Sequence, residues 1–98
     1  MELIYEPYKF EFEIMELVKL KSPIEIIKIN DTLDSSLEEL DWYILEEEAR
    51  IAEERDIVFK IVDRYFYHGG IPIYKIEAIN SVGSGRAAEF YLEYAREQ

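Results

Sequence analysis

"SSLEELDWYILEEEARIAEERDIVFKIVDRYFYHGG", Ser35 to Gly70, fills more than a third of a 98-residue chain. Leu37, Leu40, Ile44, Ile51, Val58, Val62 and Tyr65 recur in it at helical spacing, with Leu45, Ala49, Ala52, Phe59 and Phe66 as a second stripe alongside. Ser36 and Glu39 have capping-box spacing just after the turn-rich run Asn30 to Ser36, which marks a helix start. Glu46 with Arg50, and Asp56 with Lys60, are i,i+4 pairs in the favourable order. Lys60, Arg64 and His68 gather toward the far end, where cations oppose the macrodipole, and Gly69 then stops the helix with Pro72 close behind. The pattern predicts one helix over residues 36–67.

Such a helix would be about 48 Å long at 1.5 Å per residue. A compact domain of this length is a globule only roughly 35 Å across. Because the apolar stripes run on to Phe66, something must cover them along their whole length: a long narrow sheet or a second copy of the chain. This favours a homo-oligomer.

On the N-terminal side, Tyr8 to Ile14 alternates strictly, placing Tyr8, Phe10, Phe12 and Ile14 on one face of a strand. The alternation slips at Ile14-Met15 and again at Ile26-Ile27, which suggests bulges or a strand partly buried on both faces. Pro23 in "LKSPIEIIKIN" marks an edge position or a turn. Two readings of the strand region 3–30 remain: a hairpin turning at Lys21-Ser22-Pro23, or one long edge strand. On the C-terminal side, "IPIYKIEAIN" alternates as a strand and "SVGSG" is a turn, while "RAAEFYLEYAREQ" fits a helix and a strand equally well. Its aromatics and the turn before it tilt the balance to a strand closing a hairpin within residues 71–95. The fold class expected is α+β in a single domain, 1–98: an antiparallel sheet of about three to five strands packed against one long helix.

Composition narrows the function. Hydrophobic residues make up 49% of the chain, enough for one core. No apolar run is long enough for a membrane span or a secretory segment, which points to a soluble cytoplasmic protein. There is no cysteine and a single histidine, so neither disulfides nor the usual zinc clusters can form, and no cofactor is expected. The 34% charged content, with few Asn, Gln and Met, leans toward a thermophile. A net charge of −11 argues against direct nucleic-acid binding, which requires Lys and Arg on the phosphates, and makes a basic protein the natural charged partner.

No catalytic or metal site emerges from the motifs. "GSGR", Gly83 to Arg86, lacks the full phosphate-loop spacing and reads as a turn. His68 sits where an imidazole caps helix carbonyls and has no partner of catalytic type nearby in sequence. Glu46-Glu47-Glu48 and Glu53-Glu54 diverge by about 100° per residue on a helix, as a solvated face does. Trp42 falls on the apolar stripe and reads as core, whereas Tyr43 points with the polar face and can serve as an interface anchor. Ten of the 22 carboxylates lie between Asp34 and Asp56 against two arginines, so Tyr43, Glu46, Glu47, Glu53 and Glu54 form the expected interaction surface.

The extended "FEIMELVKLKSPIEIIKIN", the short turn "DTLDSS" and the acidic "LEELDWYILEEEARIAEERDIVFKIVDRYFY" ending at "HGG" resemble one segment of tailed-phage major capsid proteins and encapsulin shell proteins, the Hong Kong 97 fold. In that segment an extended-loop arm feeds the spine helix of the peripheral domain. The resemblance covers residues 13–70 and implies a reduced, stand-alone relative of that domain, of integrated-virus origin. Its implied role is structural and self-associating, with no catalytic residues to carry over. The other function the composition supports is an acidic protein-binding module, a nucleic-acid mimic acting on a basic partner.

Overall fold

A computed structural model describes residues 9–95. The fold is α+β, with a five-stranded antiparallel sheet and two short helices. In chain order the elements are β1 (Leu17–Leu20), α1 (Pro23–Asp31), a one-turn 3-10 helix (Ser35–Glu39), α2 (Glu46–Glu54), β2 (Phe59–Tyr67), β3 (Ile71–Ala78), β4 (Ser84–Ala88), a second 3-10 turn (Glu89–Tyr91) and β5 (Leu92–Tyr94). The strands lie in the order β4-β3-β2-β1-β5.

The expected helix over residues 36–67 is not formed. Its span is divided among the 3-10 turn, the nine-residue α2 and the long strand β2. Eight of the eleven residues from Ile57 to Tyr67 are Ile, Val, Phe or Tyr, a composition that fits a pleated surface better than a helix. The spine helix that carries the resemblance to shell proteins, and the overhang that called for a partner along it, are therefore not present. Of the two expected helical ion pairs, Arg50 Nη2 and Glu46 Oε2 do meet, at 3.5 Å. Asp56 instead reaches Lys19 on β1, at 3.2 Å.

Asp56 is where α2 ends. Its φ of +51° is left-handed. The Ile57 N–H donates to Ala52 O at 3.0 Å and the Asp56 N–H to Glu53 O at 3.1 Å, which together make a Schellman cap with aspartate in the place usually held by glycine. The fold thus makes a signed prediction at this position. Asp56→Gly leaves stability unchanged or raises it by up to about 1 kcal/mol, and Asp56→Val lowers it by about 1–2 kcal/mol, as a left-handed site demands. In a continuous helix glycine would instead be the damaging substitution, by about 1 kcal/mol. Urea midpoints of the two variants decide between them.

The "SPIE" run begins a helix rather than turning a hairpin or continuing an edge strand. Ser22 is the N-cap of α1 and Pro23 its first-turn proline, and the Glu25 N–H donates to Ser22 Oγ at 3.3 Å while the Ser22 N–H donates to Glu25 Oε1 at 3.4 Å. The capping box expected at Ser36 and Glu39 is replaced by Asp34, whose Oδ1 accepts the Ser36 N–H at 2.9 Å and heads only a 3-10 turn. His68 and Gly69 belong to the β2–β3 hairpin loop, where Gly69 and Gly70 both take φ of +85°.

The N-terminal alternation is genuine but not that of a ladder strand; Tyr8 lies outside the described residues. Phe10 and Phe12 both pack on Tyr74, with ring centroids 5.8 and 5.5 Å away, and Phe10 also stacks on Phe66 at 4.2 Å. Side chains hold the backbone here. The Phe12 N–H donates to Tyr74 Oη at 3.1 Å, and Phe12 O accepts from Arg64 Nη1 at 2.7 Å. Ile14 is exposed, and the slip at Met15 is a turn in which that residue takes φ of +78°.

Within the sheet, Val62 is an extra residue between the Ile61–Ile76 and Asp63–Lys75 pairs. This bulge lets Phe59 and Ile61 before it share a face with Arg64 and Phe66 after it. Ile73 and Tyr74, neighbours that point to opposite faces, are both fully buried, so the sheet is covered on both sides. Strand order adds a constraint. A flat five-stranded sheet would hold its outer strands roughly 19 Å apart, yet Ala88 at the end of β4 and Leu92 at the start of β5 are joined by a link that reaches at most about 14 Å. The sheet therefore curls toward a small barrel, with the 3-10 turn at residues 89–91 bridging its edges. Lys21 N–H donates to Tyr91 O at 2.9 Å and secures that bridge.

Candidate functional site

The curl leaves one apolar cleft between α2 and the β3–β4 hairpin, with a volume of about 310 Å³. Its floor is Ile44, Ala52, Phe59 and Ile76. Local sequence explains each wall. Ala49 and Ala52 put small side chains on the inner face of α2 and are buried, which brings the helix close to its neighbours α1 and β1. The hairpin tip is fastened by Asn80, whose Oδ1 accepts the Val58 N–H at 3.0 Å and whose Nδ2 donates to Asp56 O at 2.9 Å. Asn80 thereby ties the tip to the loop after α2 and holds the cleft open. Val82 at that tip is 99% exposed and borders the cleft, as does the half-exposed Ile51 on α2.

Polar groups stand at the rim. Arg86 Nη1 donates to Asp41 Oδ2 at 2.6 Å, straps the Asp41–Ile44 segment alongside β4, and has its basicity raised by that bond. Glu48 borders the cleft and spends one carboxylate oxygen on the Leu45 N–H at 2.8 Å, capping α2.

Of the expected interaction residues, Tyr43 is not an exposed anchor. It is half-buried, lines the cleft and packs edge-on to Tyr91 at 6.2 Å, and burial raises its phenol pKa, with Glu38 and Asp31 adding to the effect. Glu46, Glu47, Glu53 and Glu54 do come together. On a helix, residues seven apart nearly eclipse, so Glu46 aligns with Glu53 and Glu47 with Glu54 on the solvent face of α2. Arg50 lies among them, 3.5 Å from Glu46 and 3.9 Å from Glu47. This row runs along the helix that walls the cleft. Sequence reasoning missed the cleft itself, because the long-helix reading keeps α2 and the hairpin apart, and it read Ser84, Gly85 and Arg86 as a turn where they begin strand β4.

Two part-buried to exposed hydrogen-bond networks brace the surrounding frame. Asn30 on α1 donates from Nδ2 to Ile44 O at 2.9 Å and accepts from Tyr91 Oη at 2.7 Å. Tyr74 Oη donates to Glu89 Oε2 at 2.6 Å, and the same carboxylate oxygen accepts the Glu11 N–H at 2.7 Å. Among the described residues, no group of three or more His, Asp or Glu is arranged to hold a metal ion, and no helix is long and apolar enough to cross a membrane. No protein-family model, curated protein or solved structure matches the chain.

Proposed function

We propose that this protein is a non-enzymatic interaction module that docks a basic segment of another protein against α2 and the cleft beside it. The observation that carries this reading is an apolar cleft walled by α2 with Glu48 at its rim, on a helix whose solvent face carries Glu46, Glu47, Glu53 and Glu54 around Arg50. An apolar cleft with carboxylates on the outer face of the helix that walls it suits an amphipathic partner with lysine or arginine at its edges. At a net charge of −11 the chain repels its own copies at a distance and attracts cationic partners.

The test is a pair of synthetic peptides with the same apolar centre, one flanked by lysines and one by aspartates. The lysine-flanked peptide should bind at least about tenfold more tightly at low salt, and most of that advantage should vanish near 0.5 M salt. Lysine at all four positions, Glu46→Lys, Glu47→Lys, Glu53→Lys and Glu54→Lys, should abolish the preference without unfolding α2. Lysine opposes the macrodipole in the first turn and complements it in the last, so the stability effects offset. Equal affinities for the two peptides would overturn the reading.

A further inference from the structure

The manner of docking follows from the hydrogen-bond parity of β4. Ala78 N–H donates to Gly83 O at 2.9 Å, so residues 83, 85 and 87 direct their main-chain groups to β3. Residues 84, 86 and 88 direct theirs outward. Ala88 confirms the parity, since its N–H turns away from β3 and donates to Trp42 O at 3.3 Å. Beyond Trp42 the contact to β4 is made by a side chain, Asp41 to Arg86, and Ile44 lines the cleft. Over Ser84 to Arg86 the outward N–H and C=O groups have no main-chain partner among the described residues. This stretch borders the cleft, so an unpaired sheet edge and an apolar groove share one boundary.

We propose that β4 is a strand-addition site: an extended segment of a partner protein, apolar at alternate positions and flanked by Lys or Arg, pairs with Ser84–Arg86. Each ladder bond would satisfy a main-chain group left open now. Alternate side chains of the segment would point into the cleft toward Ile44, Ile51, Ala52 and Ile76, and those between would face solvent. A Cβ at Gly85 would meet nothing within 4 Å, so the space over the strand at this point is open. Charge selects the occupant. A second copy would bring its own glutamate row to the groove, whereas basic flanks would meet Glu48 at the rim and the carboxylates along α2. The proposal rests on the acidic-docking reading and adds to it the edge, the register and the extended conformation.

The probe is a fluorescent peptide of alternating valine and threonine flanked by lysine pairs. Ser84→Pro deletes one outward N–H and leaves the bonds to β3 in place, while Ser84→Ala keeps that N–H. Ser84→Pro should weaken binding at least about tenfold and Ser84→Ala less than about twofold. A peptide N-methylated at alternate residues should lose binding to the unaltered protein to a similar extent, which guards against a variant that simply misfolds. If Ser84→Pro and the N-methylated peptide bind like their parents while the glutamate reversals still abolish binding, strand addition is overturned and the acidic reading stands. If flank charge has no effect, the acidic reading is the one that fails. A dimer in light scattering that Ser84→Pro dissolves, with no peptide bound, would assign the edge to a second copy and overturn the occupant proposed.

Discussion

Replacing Trp42 with alanine will cost the fold about 3–5 kcal/mol, a large part of the roughly 5–15 kcal/mol that a chain of this length has in total. Trp42 is 1% exposed and sits edge-on to Tyr67 at 5.6 Å and to Phe90 at 6.1 Å, so it joins the sheet to the turn that bridges its edges. Its carbonyl accepts the Ala88 N–H, and a cavity beneath would loosen the segment that opens the cleft. Trp42→Phe should be far milder. The indole N–H has no acceptor among the described residues, and removing such a buried donor relieves about 1–3 kcal/mol, which offsets much of the lost contact area. Urea unfolding of both variants is the check. A cost under about 1 kcal/mol for the alanine variant would mean that the ring is not part of the core.

The second large effect is alkaline. Tyr74 and Tyr91 are fully buried, and their phenol pKa values are raised in the fold: Tyr74 by burial and then by its hydrogen bond to Glu89, Tyr91 by burial first. A folded value above the unfolded value of about 10 means that the stabilisation is complete below pH 10. It is lost as pH climbs from there toward the folded values, because the unfolded chain then binds fewer protons. The loss approaches about 1.4 kcal/mol per pH unit for each of the two tyrosines. Urea midpoints should therefore hold steady between roughly pH 7 and 9 and fall steeply above 10. Tyr91→Phe should start lower, since it leaves Asn30 Oδ1 without its donor, and then fall less steeply. A wild-type midpoint that stays flat well past pH 10 would contradict the burial of both phenols.

Local chemistry that acts within a few residues was legible in the sequence. The alternating pattern of β3, the ion pair of Glu46 with Arg50, the buried place of Trp42 and the acidic row of α2 all follow from residues close together in the chain. The cap of α1 was equally present in "SPIE", but the neighbouring isoleucines also alternate, and proline at a helix start is the same residue as proline at a strand edge.

The division of Ser35 to Gly70 was not legible. Ile57 to Tyr67 satisfies a period of 3.6 and a period of 2 alike, and the helix stops at an aspartate in a left-handed conformation rather than at a glycine. What the sequence alone determined is the class of molecule: an acidic α+β fold with its carboxylates concentrated before residue 57. What tertiary structure decided is which period wins and where the cleft opens. Ile61 pairs with Ile76 and Tyr65 with Ile73 only once β3 lies alongside, and those cross-strand contacts, acting with the strand preference of its β-branched and aromatic residues, turn the second half of the apparent helix into β2.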